Sequence, residues 1–116
     1  MLEYKKVLAP TYTVRIYMAG EIEMAKQVCR EECMIEGLCV NIRPTEYIYT
    51  GGQETGFVVE LVNYPRFPST PKKIEDRSEK LAQILLFRCC QLSCLLVNPN
   101  NSTWVTRRPE DLKKKE

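Results

Sequence analysis

At 116 residues the chain is long enough for one packed core and too short for two, and its 44% hydrophobic and 28% charged residues are those of a folding globular chain. A formal net charge of +2 speaks against a DNA or RNA binder, which gathers phosphates with a clear basic surplus. The chain has no histidine, and so lacks the commonest general base, the Ser/His and Cys/His nucleophile pairs and the commonest metal ligand; the expectation is a protein that is not an enzyme and needs no cofactor.

No run of about 18 apolar residues occurs, and no charged segment followed by an apolar one opens the chain. A protein away from membranes, in a compartment that keeps its six cysteines reduced, is therefore expected. Residues 1–10 are weakly patterned, end in Pro10 and read as a flexible N-terminal extension to a single domain over residues 11–109.

Thr11 to Ala19 alternates Tyr12, Val14, Ile16 and Met18 with Thr13, Arg15 and Tyr17, the period of a half-buried strand. After Gly20, residues 21–36 read as a helix, with acidic residues in its first turn, Ile22, Ala25, Cys29 and Cys33 along one face and Gly37 just past its end. Leu38 to Ile42 and Tyr47 to Tyr49 have β composition interrupted by Pro44, so one bulged strand or two pieces both fit. TGGQETG at 50–56 reads as a hairpin turn longer than the two-residue optimum, and Phe57 to Val62 as its return strand.

Thr70 and Pro71 have the chemistry of an N-cap and first helical residue. The stripe Ile74, Ser78, Leu81, Leu85, Cys89 and Leu92 then predicts a long second helix. Ser93 to Val97 and Thr103 to Arg107 pair across the turn PNNS, and residues 110–116 read as a solvated charged tail. The order is strand, helix, strand, strand, helix, strand, strand. It implies an α+β fold, with two helices on one face of a mostly antiparallel sheet, a split βαβ order and a C-terminal hairpin. The other sheet face would carry Arg15, Tyr17, Tyr47 and Tyr49, an amphipathic aromatic surface suited to a ligand or a partner subunit.

Cys29, Cys33 and Cys39, and Cys89, Cys90 and Cys94, form no C-x-x-C pair and read as small hydrophobes rather than zinc ligands. TGGQETG lacks the Gly-Lys-Ser/Thr ending of a phosphate-binding loop and joins two strands. Glu21 and Glu23, two apart on a helix, point to different faces. In VNYPRFPSTPKK at 62–73, Pro65 and Pro68 stiffen the backbone around Arg66, with Tyr64 and Phe67 beside it. That is either a rigid connector with a surface arginine or a preorganised grip for a phosphate and a base. Arg107 and Arg108, after Trp104, repeat the aromatic-plus-guanidinium theme with the same two readings.

AGEIEMAKQVCRE at 19–31, GLCV at 37–40, YIYTGG at 47–52 and VNYPRFPS at 62–69 lie in the stretch Met18 to Ser69, roughly half the chain, and that stretch resembles the phage-encoded Thoeris anti-defence sponge proteins of type one. The resemblance implies a non-enzymatic sponge in the host bacterial cytoplasm that sequesters cyclic ADP-ribose isomers and so silences a defence effector. Some members also hold cyclic di- or trinucleotide signals, and dimers assemble into hexamers as trimers of dimers. On this reading Arg107, Arg108 or Arg66 would hold ligand phosphates and Phe87 or Trp104 would stack on the base, with Arg30 and Asn98 completing the candidate set. A small oligomeric interaction module using its sheet face is the alternative, and a metal or redox protein built on the cysteines is a third.

Overall fold

The computed structural model describes residues 2–113. Five strands and two long helices follow in the expected order: β1 (Thr13–Ala19), α1 (Ile22–Glu36), β2 (Val40–Tyr49), β3 (Gly52–Val62), α2 (Pro71–Arg88), β4 (Ser93–Val97) and β5 (Ser102–Thr106), then a helical turn α3 (Pro109–Leu112). The strands form one sheet in the order β2-β3-β1-β4-β5 with every neighbouring pair antiparallel. β1 and β2 thus run parallel with β3 between them, which is the split βαβ arrangement, and β5 extends it.

Local chemistry accounts for the boundaries. Gly37 ends α1 in the left-handed region at φ 68°, where its amide donates to the Cys33 carbonyl. The Thr70 hydroxyl accepts from the Lys73 amide at 3.2 Å and Pro71 opens α2, where its missing N–H costs nothing. Cys90, at φ 56°, turns the chain out of α2, and the Gln91 amide closes on the Leu86 carbonyl at 2.9 Å.

Three local readings change. β2 is one continuous strand through Pro44, tolerated because β2 is a sheet edge. The hairpin loop is only Thr50 and Gly51, with Tyr49 paired to Gly52 and Gly51 at φ 87°; Gln53, Glu54 and Thr55 belong to β3. Residues 110–112, read as the start of a tail, join Pro109 in α3, where the Thr106 hydroxyl donates to Asp111 at 2.7 Å; residues 114–116 of that tail lie outside the described residues.

The core lies between the sheet and the two helices. Val14, Ile16 and Met18 of β1 and Phe57, Val59 and Leu61 of β3 meet Ala25, Val28 and Cys29 of α1 and Ile74, Leu81, Leu85 and Leu86 of α2, all buried. Ser78 sits in this apolar layer with its hydroxyl returned to the Ile74 carbonyl at 2.7 Å. The same strands send their alternate residues to the uncovered side, and that side holds the site.

Candidate functional site

Register builds the open face row by row. Arg43, Val58, Tyr17, Leu95 and Trp104 stand side by side across all five strands, because each is the direct partner of the next. One step along, Glu60 accepts from Arg15 Nε at 2.7 Å and from Asn41 Nδ2 at 3.0 Å, and these contacts, the amide first, hold its carboxyl below the usual range. On the other side of the aromatic row, Tyr47 faces Glu54 and Tyr49 faces Gly52.

Between these rows and the turn after α2 lies an open hollow of about 360 Å³. Tyr17, Tyr47, Tyr49, Leu95 and Trp104 give it apolar and aromatic walls, and Glu54, Gln91, Ser93 and Arg108 place polar groups at its edge. This is the composition of a small-molecule site, an apolar hollow with a few convergent polar groups.

Two features fix its walls. A Cβ on Gly56 would collide with the Met18 carbonyl and lie 2.7 Å from both Ala19 Cα and Tyr47 Cε2. Only glycine lets the Tyr47 ring lie across the strands there, and its hydroxyl donates to the Phe57 carbonyl at 2.7 Å. Burial pushes the Tyr47 phenol up to about 12, so it remains a neutral donor at physiological pH. On the far side, Arg108 Nη2 donates to Ser93 Oγ at 3.3 Å and its amide to Thr106 Oγ1 at 3.1 Å, which steers the guanidinium toward the hollow.

Of the residues singled out in the sequence, Trp104 and Arg108 line this hollow. Arg107 adjoins it, its Nη1 donating to the carbonyl of Gln91 at 3.2 Å. The others stand elsewhere. Arg66 lies over the Phe67 ring, 5.5 Å from its centroid, in the turn before α2, and Phe87 is a largely exposed residue of α2. Arg30 donates to Gln27 on the outside of α1, while Asn98 donates to Glu75 and accepts the Asn100 and Asn101 amides, so it shapes the β4–β5 turn. Tyr17, Tyr47 and Tyr49 were legible as an aromatic face. Glu54, Ser93 and Leu95 were not, since only the cross-strand register brings them to it.

The six cysteines are unpaired, and burial pushes the Cys29 and Cys94 thiols up to about 11, which leaves them neutral and unreactive. Among the described residues no three metal-ligating side chains come together, and no helix is long and apolar enough to cross a membrane.

No protein-family model and no curated protein matches the sequence. The fold is shared with phage SAM lyase. The apo structure of that enzyme superposes with a TM-score of 0.69 at 12% identity, covering 91% of this chain and 98% of the other. Its complex with S-methyl-5'-thioadenosine superposes with a TM-score of 0.67 at 12% identity, covering 93% and 98%. These are phage proteins, as the sequence resemblance implied, but they are lyases and not Thoeris sponges. The expectation that a chain without histidine is not an enzyme is thereby corrected: the fold it adopts is one on which lyases are built. Absent histidine excludes proton relays through imidazole, and a reaction that needs no such relay is left open.

Proposed function

We propose that the open-face hollow binds an adenosine-bearing small molecule, that its substrate is S-adenosylmethionine (SAM), and that the protein serves a phage against host defence. The observation that carries this reading is four aromatic rings converging with one carboxylate and one guanidinium in a single hollow, on a fold shared over nine-tenths of the chain with an enzyme that cleaves SAM. An adenine stacks on such rings, and a sulfonium, being a cation, is drawn to their faces. Glu54 and Arg108 match the ammonium and carboxylate of the amino-acid end.

The chemistry asks little of the protein. The Cγ–S bond of the substrate breaks and its electron pair returns to sulfur, leaving the neutral thioether S-methyl-5'-thioadenosine. The substrate's own carboxylate oxygen bonds to Cγ as sulfur leaves, closing a lactone. No oxidant, metal or external base enters, and the sulfonium supplies the leaving group. The protein contributes by folding the substrate so that carboxylate and Cγ meet, which is a positioning effect. The aromatic faces lie against the sulfonium, whose positive charge is lost as the bond breaks.

A second reading, binding of cyclic ADP-ribose isomers, is favoured by Arg107 beside Arg108, two guanidiniums at one edge of the hollow for a ligand with two phosphates. One pair of measurements separates the two. Incubation with SAM should release S-methyl-5'-thioadenosine, detected by liquid chromatography, and Trp104→Ala and Glu54→Gln should each lower that release by about tenfold or more. Absence of turnover together with a rise in melting temperature on adding cyclic ADP-ribose isomers would transfer the hollow to the second reading. No response to either ligand would sink both.

A further inference from the structure

Aromatic walls hold a purine without telling one from another. Every base offers a π face, so stacking on Tyr17, Tyr47 or Trp104 accepts adenine and hypoxanthine alike. Discrimination falls to polar atoms that meet the edge of the ring. Among the described residues around the hollow Gln91 is the only carboxamide. A carboxamide pairs an acceptor with a donor, the match for the amino group and adjacent ring nitrogen of adenine.

The floor beside Gln91 is made of small residues. Gly56 pairs with Ala19 on one side and Thr45 on the other, and Ser93 pairs with Thr106, so a low row follows the tall row of Tyr17, Leu95 and Trp104. Gln91 comes two residues before Ser93 and borders this floor just before β4 begins.

The Gln91 backbone is fixed from both sides. Its amide donates to the Leu86 carbonyl at 2.9 Å, its carbonyl accepts from Arg107 Nη1 at 3.2 Å, and Cys90 before it holds the left-handed region at φ 56°, uncommon for a residue with a side chain. The side chain lies alongside Gly20: a Cβ there would stand 3.4 Å from Nε2 and 3.5 Å from Cγ. Gly20 is held in turn by its amide on the Thr55 carbonyl at 3.1 Å.

Gln91 Nε2 donates to the Cys89 carbonyl at 3.3 Å, and this contact decides which way the amide faces. A carbonyl only accepts, so the nitrogen must be the end turned to it; the flipped amide would set two oxygens against each other. Oε1 and the second N–H are left for a ligand, and among the described residues no donor reaches Oε1. Adenine puts N6–H on Oε1 and N1 or N7 on the N–H. A 6-oxopurine brings O6 to Oε1, acceptor against acceptor, and the Cys89 carbonyl opposes the flip that would relieve the clash.

We infer, on the reading that the hollow takes an adenosine-bearing ligand, that Gln91 is the residue selecting adenine over 6-oxopurines, its carboxamide held one way round by the Cys89 carbonyl. Isothermal titration calorimetry with S-methyl-5'-thioadenosine and S-methyl-5'-thioinosine, which differ at position 6 of the purine and at the proton on N1, tests this. The parent should bind the thioadenosine at least about tenfold more tightly. Gln91→Met, of similar length, should weaken the thioadenosine about tenfold and leave the thioinosine within about twofold, so that the preference disappears. Gln91→Glu, which keeps the shape and loses the donor, should abolish the preference as well. Trp104→Ala should weaken both ligands alike and preserve their ratio, because a stacked ring is blind to the exocyclic group. A parent that binds neither ligand would overturn the reading of the hollow together with the role of Gln91. A parent that binds the thioadenosine without preference, Gln91 variants that weaken both ligands equally or neither, or a Trp104→Ala that erases the preference as fully would overturn the role of Gln91 and leave the hollow standing.

Discussion

The two faces of the sheet are made of the same strands, often of adjacent residues, and do different work. On the helix side Ile16, Val59, Met18 and Phe57 are at most 1% exposed, whereas on the open side the neighbours Tyr17 and Trp104 remain accessible and Arg15, Glu60 and Asn41 keep their charge and polarity. A side-chain period of two separates stability from binding with a one-residue step, so the two can be perturbed one at a time.

Phe57 is the sharpest test of the covered face. It is the largest fully buried side chain, and Phe57→Ala leaves a cavity that the sheet backbone and two helices cannot easily close. A loss of about 3–5 kcal/mol in denaturant unfolding is expected. A loss below about 1 kcal/mol would mean that the helices repack freely and that this face does not govern stability. Its neighbour Gly56 points to the other side and joins the two functions. Gly56→Ala drives a methyl into the Met18 carbonyl and the Tyr47 ring, so about 1–3 kcal/mol should be lost and ligand binding in the hollow weakened in the same variant. If the variant kept both stability and binding, the Tyr47 wall would not depend on the glycine.

How far the sequence carried follows from the same contrast. The covered face announces itself, because burial demands apolar residues at fixed intervals: the alternation through Met18 and the stripe from Ile74 to Leu85 are where the core is. The first residues of β3 were missed because Gln53, Glu54 and Thr55 are exposed, held by pairing with β2, and carry no apolar period. Trp104 and Arg108 could be singled out as an aromatic beside a guanidinium. Their convergence with Tyr17, Tyr47 and Glu54 depends on the strand order, which brings together residues up to about ninety positions apart and which local pattern does not encode. Arg66, Phe87 and Arg30 show the converse: right in residue type for nucleotide recognition, they lie off the open face.

The smallest expected effect lies outside both faces, where the helices meet solvent. Arg88 of α2 reaches Glu31 of α1 through Nη1 at 2.7 Å and Nη2 at 3.4 Å, a fork that joins the two helices over the core. Hydrogen bonds from Arg88, then from Gln27, hold the Glu31 carboxyl down to about 2. A carboxyl lowered in the folded state stabilises fully above its unfolded value, roughly 4.5, and loses that contribution as pH falls toward 2. Arg88→Gln should therefore melt slightly below the parent at neutral pH, with the gap closing through that acidic window; because the pair is half exposed, salt should narrow it too. A gap unchanged between neutral and acidic pH would assign Arg88 to packing through its aliphatic stem, not to the charge of Glu31.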